Sequence, residues 1–470
     1  MSDEATLNGQ LAALAASTTF PDLPSTLVDS VRQRVLDTVG ICVAAADLDT
    51  SRAVSRYVEV QGGAPHATVI ASGQRLPAAQ AAFANGVFAH SLDYDDTHLP
   101  SILHPSASVV PAALAVAERE GRSGQEVLAA IAVGLEVCIR VGMAGYDPVS
   151  RNSLYFDRGQ HATSICGALG AAAAAAHLLD GTAQAIADSV AVTASMASGI
   201  IEANRTGGNV KRIHCGWAAH AGTSAADLVR AGITGPPTVF EGRFGFFRCF
   251  LDGEFVAEAI TDGLGTEWAA ASVHVKPYPA NHFTHTAVDA ARELRRRGVT
   301  VDDIAALHLK VSTPTVRTIG DPIEVKRRPE TGYQAQFSGP YVLVAALLGG
   351  GGLGVSLDDF DDELVRDPQR RALMGRVTVS GDPRCDAIYP DEFPAILEAE
   401  LIDGRREIIE VMANRGGPGD PLSDRELAMK FRENVSGRLD DEVAARVEDR
   451  LLRLHELEDV TAVMADLRQV

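Results

Sequence analysis

What the chain lacks narrows its chemistry first. Six cysteines are scattered through 470 residues with no CxxC pair, which leaves no place for a cysteine-built zinc site, a redox dithiol or an iron–sulfur cluster. Aromatic residues make up only 5% of the chain, with two tryptophans. The stretch "LDYDDT" carries the Asp-x-Asp-Asp pattern of some helical terpene cyclases, but such sites need aromatic faces to stabilise carbocations, and this composition is poor in them. No basic run is longer than three residues and the formal net charge is −20, so nucleic acid and anionic lipid are repelled. Long apolar runs are missing too. The run "ICGALGAAAAAA" is too short and too rich in alanine and glycine to span a bilayer, and "MSDEATLNGQ" has no charged-then-apolar signal layout. The expectation is a cytoplasmic protein in a reducing compartment, with no nucleic-acid or membrane partner.

What is present is an ordinary globular content, 46% hydrophobic, in a chain long enough for two domains. Up to about Arg230, alanine-rich runs of helical period alternate with short breakers, and "HATSICGALGAAAAAAHLL" reads as a central helix whose small residues let neighbours approach closely. After about Trp268 the pattern changes. "NHFTHTAVDAARELRRRG" is helical, "IAALHLKVST" and "GRVTVSGD" read as strands, and "AILEAELIDGRREIIEVM" reads as a hairpin about Asp-Gly. Charged amphipathic helices return near the C-terminus. "LLGGGGLG" lacks the Lys-Ser/Thr of a phosphate loop and reads as a flexible surface loop.

Titratable residues gather in four stretches. "HSLDYDDTHLPSILHPS", residues 90–106, packs three aspartates and three histidines into a helix end and loop. An Asp-rich helix end can simply cap the next helix, so the other three stretches matter. "FDRGQHATSICG" places His161 at a helix start; "NRTGGNVKRIHCGWAAHAG" holds Arg205, Lys211, Arg212, His214 and His220; "VHVKPYPANHFTHTAVDAA" holds Lys276, Asn281, His282 and His285. Lysine is scarce, five against thirty-seven arginines, yet two of the five lie in these stretches. Lysine is a compact charge whose pKa falls on burial, suited to acid, base or carboxylate-anchor duty. Cations and imidazoles set among carboxylates point to a small substrate with several carboxylates and to proton abstraction beside one of them. A catalytically lapsed binding protein of the same fold is the alternative outside enzymes.

Together these stretches resemble the MmgE/PrpD family, which includes 2-methylcitrate dehydratase, cis-aconitate decarboxylase and iminodisuccinate epimerase. The resemblance lies in "FANGVFAHSLDYDDTH" with "HPSASVVPAALAVAE", "GGNVKRIHCGWAAHAG" with "GITGPPTVFEG", "KPYPANHFTH" and "YQAQFSGPYVLVAALL". It implies a large helical domain built from both chain ends, residues 1–268 and 405–470, around an inserted α+β lid of residues 269–404. It also implies a homodimer, a site between the domains, and catalysis without metal or organic cofactor. Carried over residue by residue, it implies catalytic roles for Asp93, Thr97, His104, His161, Lys211 and Lys276. Arg205, Arg212, His214, Asn281, His282 and Tyr333 are the expected substrate contacts. In that reading Lys276, Arg205 and Lys211 hold carboxylates, His104 or His161 takes the proton, and Asp93 orients a histidine or donates a proton. The decarboxylase branch has a histidine where this chain has Asn281, and its catalytic tyrosine has no clear counterpart here, Tyr333 being the nearest. The expected function is therefore a 2-methylcitrate dehydratase-like hydro-lyase of carboxylic acid and propionate metabolism, with epimerase or decarboxylase as alternatives.

Overall fold

The computed structural model describes residues 6–179 and 181–468. The chain divides into two compact units, Met1–Val273 with Asn434–Val470, and His274–Glu433.

The first unit is helical, as its alanine periodicity predicts. Its framework is α1 (Ser25–Ala45), α2 (Ala78–His90), α3 (Ser106–Glu120), α4 (Gly124–Ala144), α5 (Ala162–Leu179) and α6 (His214–Arg230). It is not wholly helical. Short antiparallel ladders pair Ala67–Thr68 with Arg75–Leu76 and Tyr146–Asp147 with Asn152–Ser153. Helix α4 begins with a capping box, in which the Ser123 N–H donates to Glu126 at 2.8 Å and Ser123 Oγ accepts from the Glu126 N–H at 3.3 Å.

The alanine-rich helix α5 is central, and its small residues are there for close approach. A Cβ at Gly134 of α4 would meet the Gly170 carbonyl oxygen of α5 at 2.7 Å, and one at Gly170 would meet the Gly134 carbonyl at 2.4 Å. Backbone therefore lies against backbone where these helices cross, which any side chain would block. Both α4 and α5 are long and apolar enough, by length and composition, to cross a membrane, a property the sequence reading denied to the alanine run of α5 and did not weigh for α4. Their apolar stretches are 94% and 89% buried within the protein, which makes them core helices here.

The second unit carries helix α7 (His285–Arg296) and a four-stranded sheet of β1 (Ile304–Val311), β2 (Val377–Gly381), β3 (Ala395–Leu401) and β4 (Arg406–Val411) in the order β4-β3-β1-β2. The β3–β4 hairpin is antiparallel with Arg406 opposite Glu400, turning at Asp403 and Gly404 as the Asp-Gly signal predicts. Strand β1 runs antiparallel to β3 and parallel to β2. The expected break at residue 405 falls inside this hairpin. Because β4 is hydrogen-bonded along its whole length to β3, the second unit continues to Glu433. The glycine-rich loop expected to be flexible is mostly exposed but tethered, since Asp359 accepts from the Gly351 N–H at 2.8 Å.

One buried ion pair organises the functional end of the first unit. Arg34 of α1 is fully buried, its Nε 3.9 Å from Asp96 Oδ2, and its Nη2 donates to Ser30 Oγ and the Ala270 carbonyl. Asp96 in turn accepts from the backbone N–H and the hydroxyl of Ser106, the first residue of α3. Burial pulls the Arg34 pKa down to about 10 and pushes that of Asp96 up to about 6, against the attraction each exerts on the other. Arg34→Met leaves a buried carboxylate without its cation and is expected to cost about 3–5 kcal/mol, measured by urea unfolding at pH 7. A loss below about 1 kcal/mol would show that the pair is not structural.

Candidate active site

The acidic stretch of residues 90–106 divides its aspartates between structure and chemistry. Asp96 does what the capping reading expects, serving the start of α3. Asp93 sits at φ +54° and Ile102 at φ +55°, conformations that side-chain-bearing residues adopt at a cost of about 1–3 kcal/mol. That strain turns the chain twice within ten residues. Asp93, Asp95 and Asp96 are all buried, and Lys211 Nζ stands 3.7 Å from Asp93 Oδ1.

Four imidazoles collect beside these carboxylates. His90 ends α2, His104 precedes α3, His161 precedes α5 and His214 opens α6. Ring centres lie 5.4 Å apart for His90 and His104, 5.7 Å for His90 and His161, and 5.0 Å for His161 and His214. The sequence singled out the last three; His90 it did not. The available signal was a histidine ending the apolar helix "AAFANGVFAH", five residues before Asp95.

Each ring is held in a definite state. His104 Nδ1 lies 2.7 Å from the Asp96 carbonyl oxygen, which can only accept, so Nδ1 carries the proton and Nε2 of the neutral ring keeps its lone pair. Thr97 Oγ1 is a longer 3.4 Å from the same nitrogen. His161 and His214 meet Nδ1 to Nδ1 at 2.9 Å. Burial first, then positive charge at His90 and Lys211, hold His161 well below its ordinary pKa and bring His214 to about 4. Both are neutral at pH 7, so one proton lies between the two nitrogens and the rings take opposite tautomers. His90 Nδ1 lies 2.6 Å from Asp95 Oδ2, an Asp–His pair.

His90, Asp95 and Cys215 present N, O and S atoms within 4.8 Å of one another. Donor atoms on a tetrahedral zinc ion stand more than about 3.2 Å apart. The 2.6 Å contact between His90 and Asp95 is therefore a hydrogen bond, and burial raises the Cys215 thiol well above its ordinary pKa. This trio reads as a proton-holding pair beside a neutral thiol.

Of the remaining expected residues in this unit, Arg212 Nη1 reaches Thr50 Oγ1 at 3.4 Å. Arg205 lies in the short helix Ala203–Thr206, and its side chain is outside the described residues. In the second unit Lys276 is buried, and Lys430, which the sequence did not single out, donates from Nζ to the Lys276 carbonyl at 2.7 Å. Asn281 caps the turn His282–Thr284, accepting from the Phe283 N–H at 3.2 Å. His282 is buried with its ring 4.4 Å from that of His285. Tyr333 packs on Phe337 and is 45% exposed.

The MmgE/PrpD N-terminal domain matches residues 9–258, and the MmgE/PrpD C-terminal domain matches residues 278–455. A cis-aconitate decarboxylase of Aspergillus terreus is 27% identical over 97% of this chain and 95% of its own length. That of Homo sapiens is 28% identical over 94% and 91%. A 2-methylcitrate dehydratase of Cupriavidus necator is 27% identical over 47% of each chain.

The depressed His214 pKa makes stability depend on pH. Above about pH 6.5 the ring is neutral folded and unfolded. As pH falls below that, the unfolded chain takes a proton that the folded one refuses, so stability drops until about pH 4, where His214 protonates in place. Asp96, raised to about 6, acts oppositely in part of this window but is common to wild type and variant. In His214→Gln the urea midpoint is expected to fall less between pH 7 and pH 5 than in wild type. Identical pH dependence would remove His214 from the neutral pair.

Proposed function

The chain belongs to the MmgE/PrpD family, and from that premise we propose that it is a lyase acting on a small di- or tricarboxylate through a carbanion beside a carboxylate. The observation that carries this reading is the fixed tautomer of His104. Its Nδ1–H is committed to the Asp96 carbonyl, which leaves Nε2 as a base in a buried, cation-bearing pocket where Lys211 can neutralise developing negative charge. His161, neutral at pH 7, is the second proton carrier. Thr97, close to His104, and Asp93, which pairs with Lys211, orient these groups. Lys276 remains the proposed carboxylate anchor, Arg205, Arg212, His214, Asn281, His282 and Tyr333 remain proposed substrate contacts, and the homodimer remains a proposal that light scattering would test.

Dehydration and decarboxylation both pass through a carbanion and differ in how it forms. In dehydration a base takes the α-proton and hydroxide then leaves, whereas in decarboxylation the departure of CO₂ creates the carbanion, which a proton then completes. Similarity over nearly the whole chain lies with proteins named cis-aconitate decarboxylases, whereas the named 2-methylcitrate dehydratase matches under half. That breadth moves the preferred reaction from dehydration to decarboxylation of a cis-aconitate-like tricarboxylate. Asn281 and the missing tyrosine favour the hydro-lyase as the second reading.

The test is proton NMR of the protein in D₂O with cis-aconitate, 2-methylcitrate and iminodisuccinate. Carbon-bound deuterium and a new product from one of them are expected, with the product identifying the reaction. His104→Asn should lower kcat by about 10²–10⁴-fold, and Lys276→Met should mainly raise KM, both with wild-type circular dichroism. Absence of exchange and product from all three would turn the reading to a binding protein, and a His104→Asn variant with near wild-type kcat would remove His104 as the base.

A further inference from the structure

The histidine cluster contains one more group placed for chemistry. His90 is 3% exposed and Asp95 equally buried. The Asp95 carboxylate accepts the His90 Nδ1–H at 2.6 Å, fixing the ring as a carboxylate fixes the histidine of a hydrolase triad and stabilising its cation. The other nitrogen, Nε2, is buried with no hydrogen-bond partner. A buried polar atom left open costs free energy, and this one belongs to a ring centred 5.4 Å from His104 and 5.7 Å from His161. An unfilled donor position beside the proposed base is the arrangement a bound substrate would complete.

We propose that His90, held by Asp95, is a further catalytic residue of this site, the general acid that answers His104. The inference rests on the carbanion reading above. With His104 Nε2 as base, the imidazolium of His90 gives its Nε2 proton to the group that needs it. In dehydration the C–O bond breaks with its electron pair going to oxygen, and the proton completes the leaving water. In decarboxylation no C–H bond breaks and His104 has no proton to take: the carboxylate leaves as CO₂, the C–C pair remains on carbon, and the His90 proton completes the new C–H bond. In either case His90 is left neutral with Nδ1–H still on Asp95, and it regains its proton from solvent after product leaves.

The division of charge within the cluster supports this role. His161 and His214 refuse protons first because of burial, and positive charge at Lys211, or at His90 when it holds a proton, opposes theirs further. Of the rings whose contacts are described above, only His90 has a carboxylate on a ring nitrogen. The titratable groups around it are Asp93, Asp95 and Asp96 in its own loop, His104, His161 and His214, Lys211 before α6, and Cys215 in α6.

The test has one arm that needs no substrate. Imidazole NMR of His90→Gln and of Asp95→Asn, which keeps the ring and its volume, should show His214 titrating above its wild-type value of about 4, because the neighbouring positive charge is gone. An unmoved His214 in both folded variants would show that His90 carries no charge and would overturn the proposal. The second arm measures kcat and KM against pH with the carboxylate that wild type transforms. His90→Gln should lose about 10²–10⁴-fold in kcat with KM little changed, and the alkaline fall of the wild-type kcat profile, which reports loss of the acid, should disappear. A drop in kcat that leaves the alkaline limb in place would mark His90 as structural. If wild type transforms none of the carboxylates, the carbanion reading and the acid role fall together, and the His214 titration shows separately whether the charge assignment survives.

Discussion

The site hangs on Asp96. Its side chain faces the fully buried Arg34 and caps the first residue of α3, while its carbonyl oxygen fixes the ring of His104. One residue thus joins a structural ion pair, a helix start and the orientation of the proposed base. The cost of burying a carboxylate, visible in a pKa raised to about 6 despite Arg34 and Ser106, is offset by what it organises. A buried charge pair of this kind is weak evidence for net stability and better evidence for a defined geometry.

That geometry solves an electrostatic problem. Four imidazoles and a lysine ammonium in one buried region cannot all be charged. His161 and His214 share a proton between facing nitrogens and stay neutral, His104 is polarised by a carbonyl, and His90 has a carboxylate. On the proposed reading, the partner given to each ring separates base from acid, and elimination requires both.

The fold was legible because its signals are local. Alanine periodicity marked α5, and Asp-Gly marked the hairpin whose strands pair from Arg406 with Glu400 to Val411 with Ala395. The end of the second unit was not, because it depends on which strand β4 pairs with, a long-range fact. Among candidate site residues, the density of Asp and His marked the loop in which these groups collect, yet composition could not tell that Asp96 caps and that Asp95 holds His90. Lys211 and Asp93 do meet, but lysine is not reserved for the site, since Lys310 pairs with Glu398, Lys326 donates to the Phe337 carbonyl and Lys430 to that of Lys276.

Lys430 shows what a sequence conceals about the placement of Lys276, the proposed carboxylate anchor. Lys276 stands in "VHVKPYPANHF", where two prolines stiffen the chain. The preceding Val275 N–H donates to the Gly416 carbonyl, and Gly416 sits at φ +93° with no room for a Cβ, which would lie 2.0 Å from the Val275 oxygen. The Lys430 ammonium then takes the Lys276 carbonyl at 2.7 Å. A backbone held on both sides of one lysine, by a residue some 140 and another 154 positions later in the chain, spends order on a single side chain. Prior ordering of this kind reduces what a ligand must supply in lost entropy when it binds. Asn281, which caps the next turn where the decarboxylase branch has a histidine, lies in the same segment. The proposed base and the proposed carboxylate anchor are thus carried by separate stretches of chain.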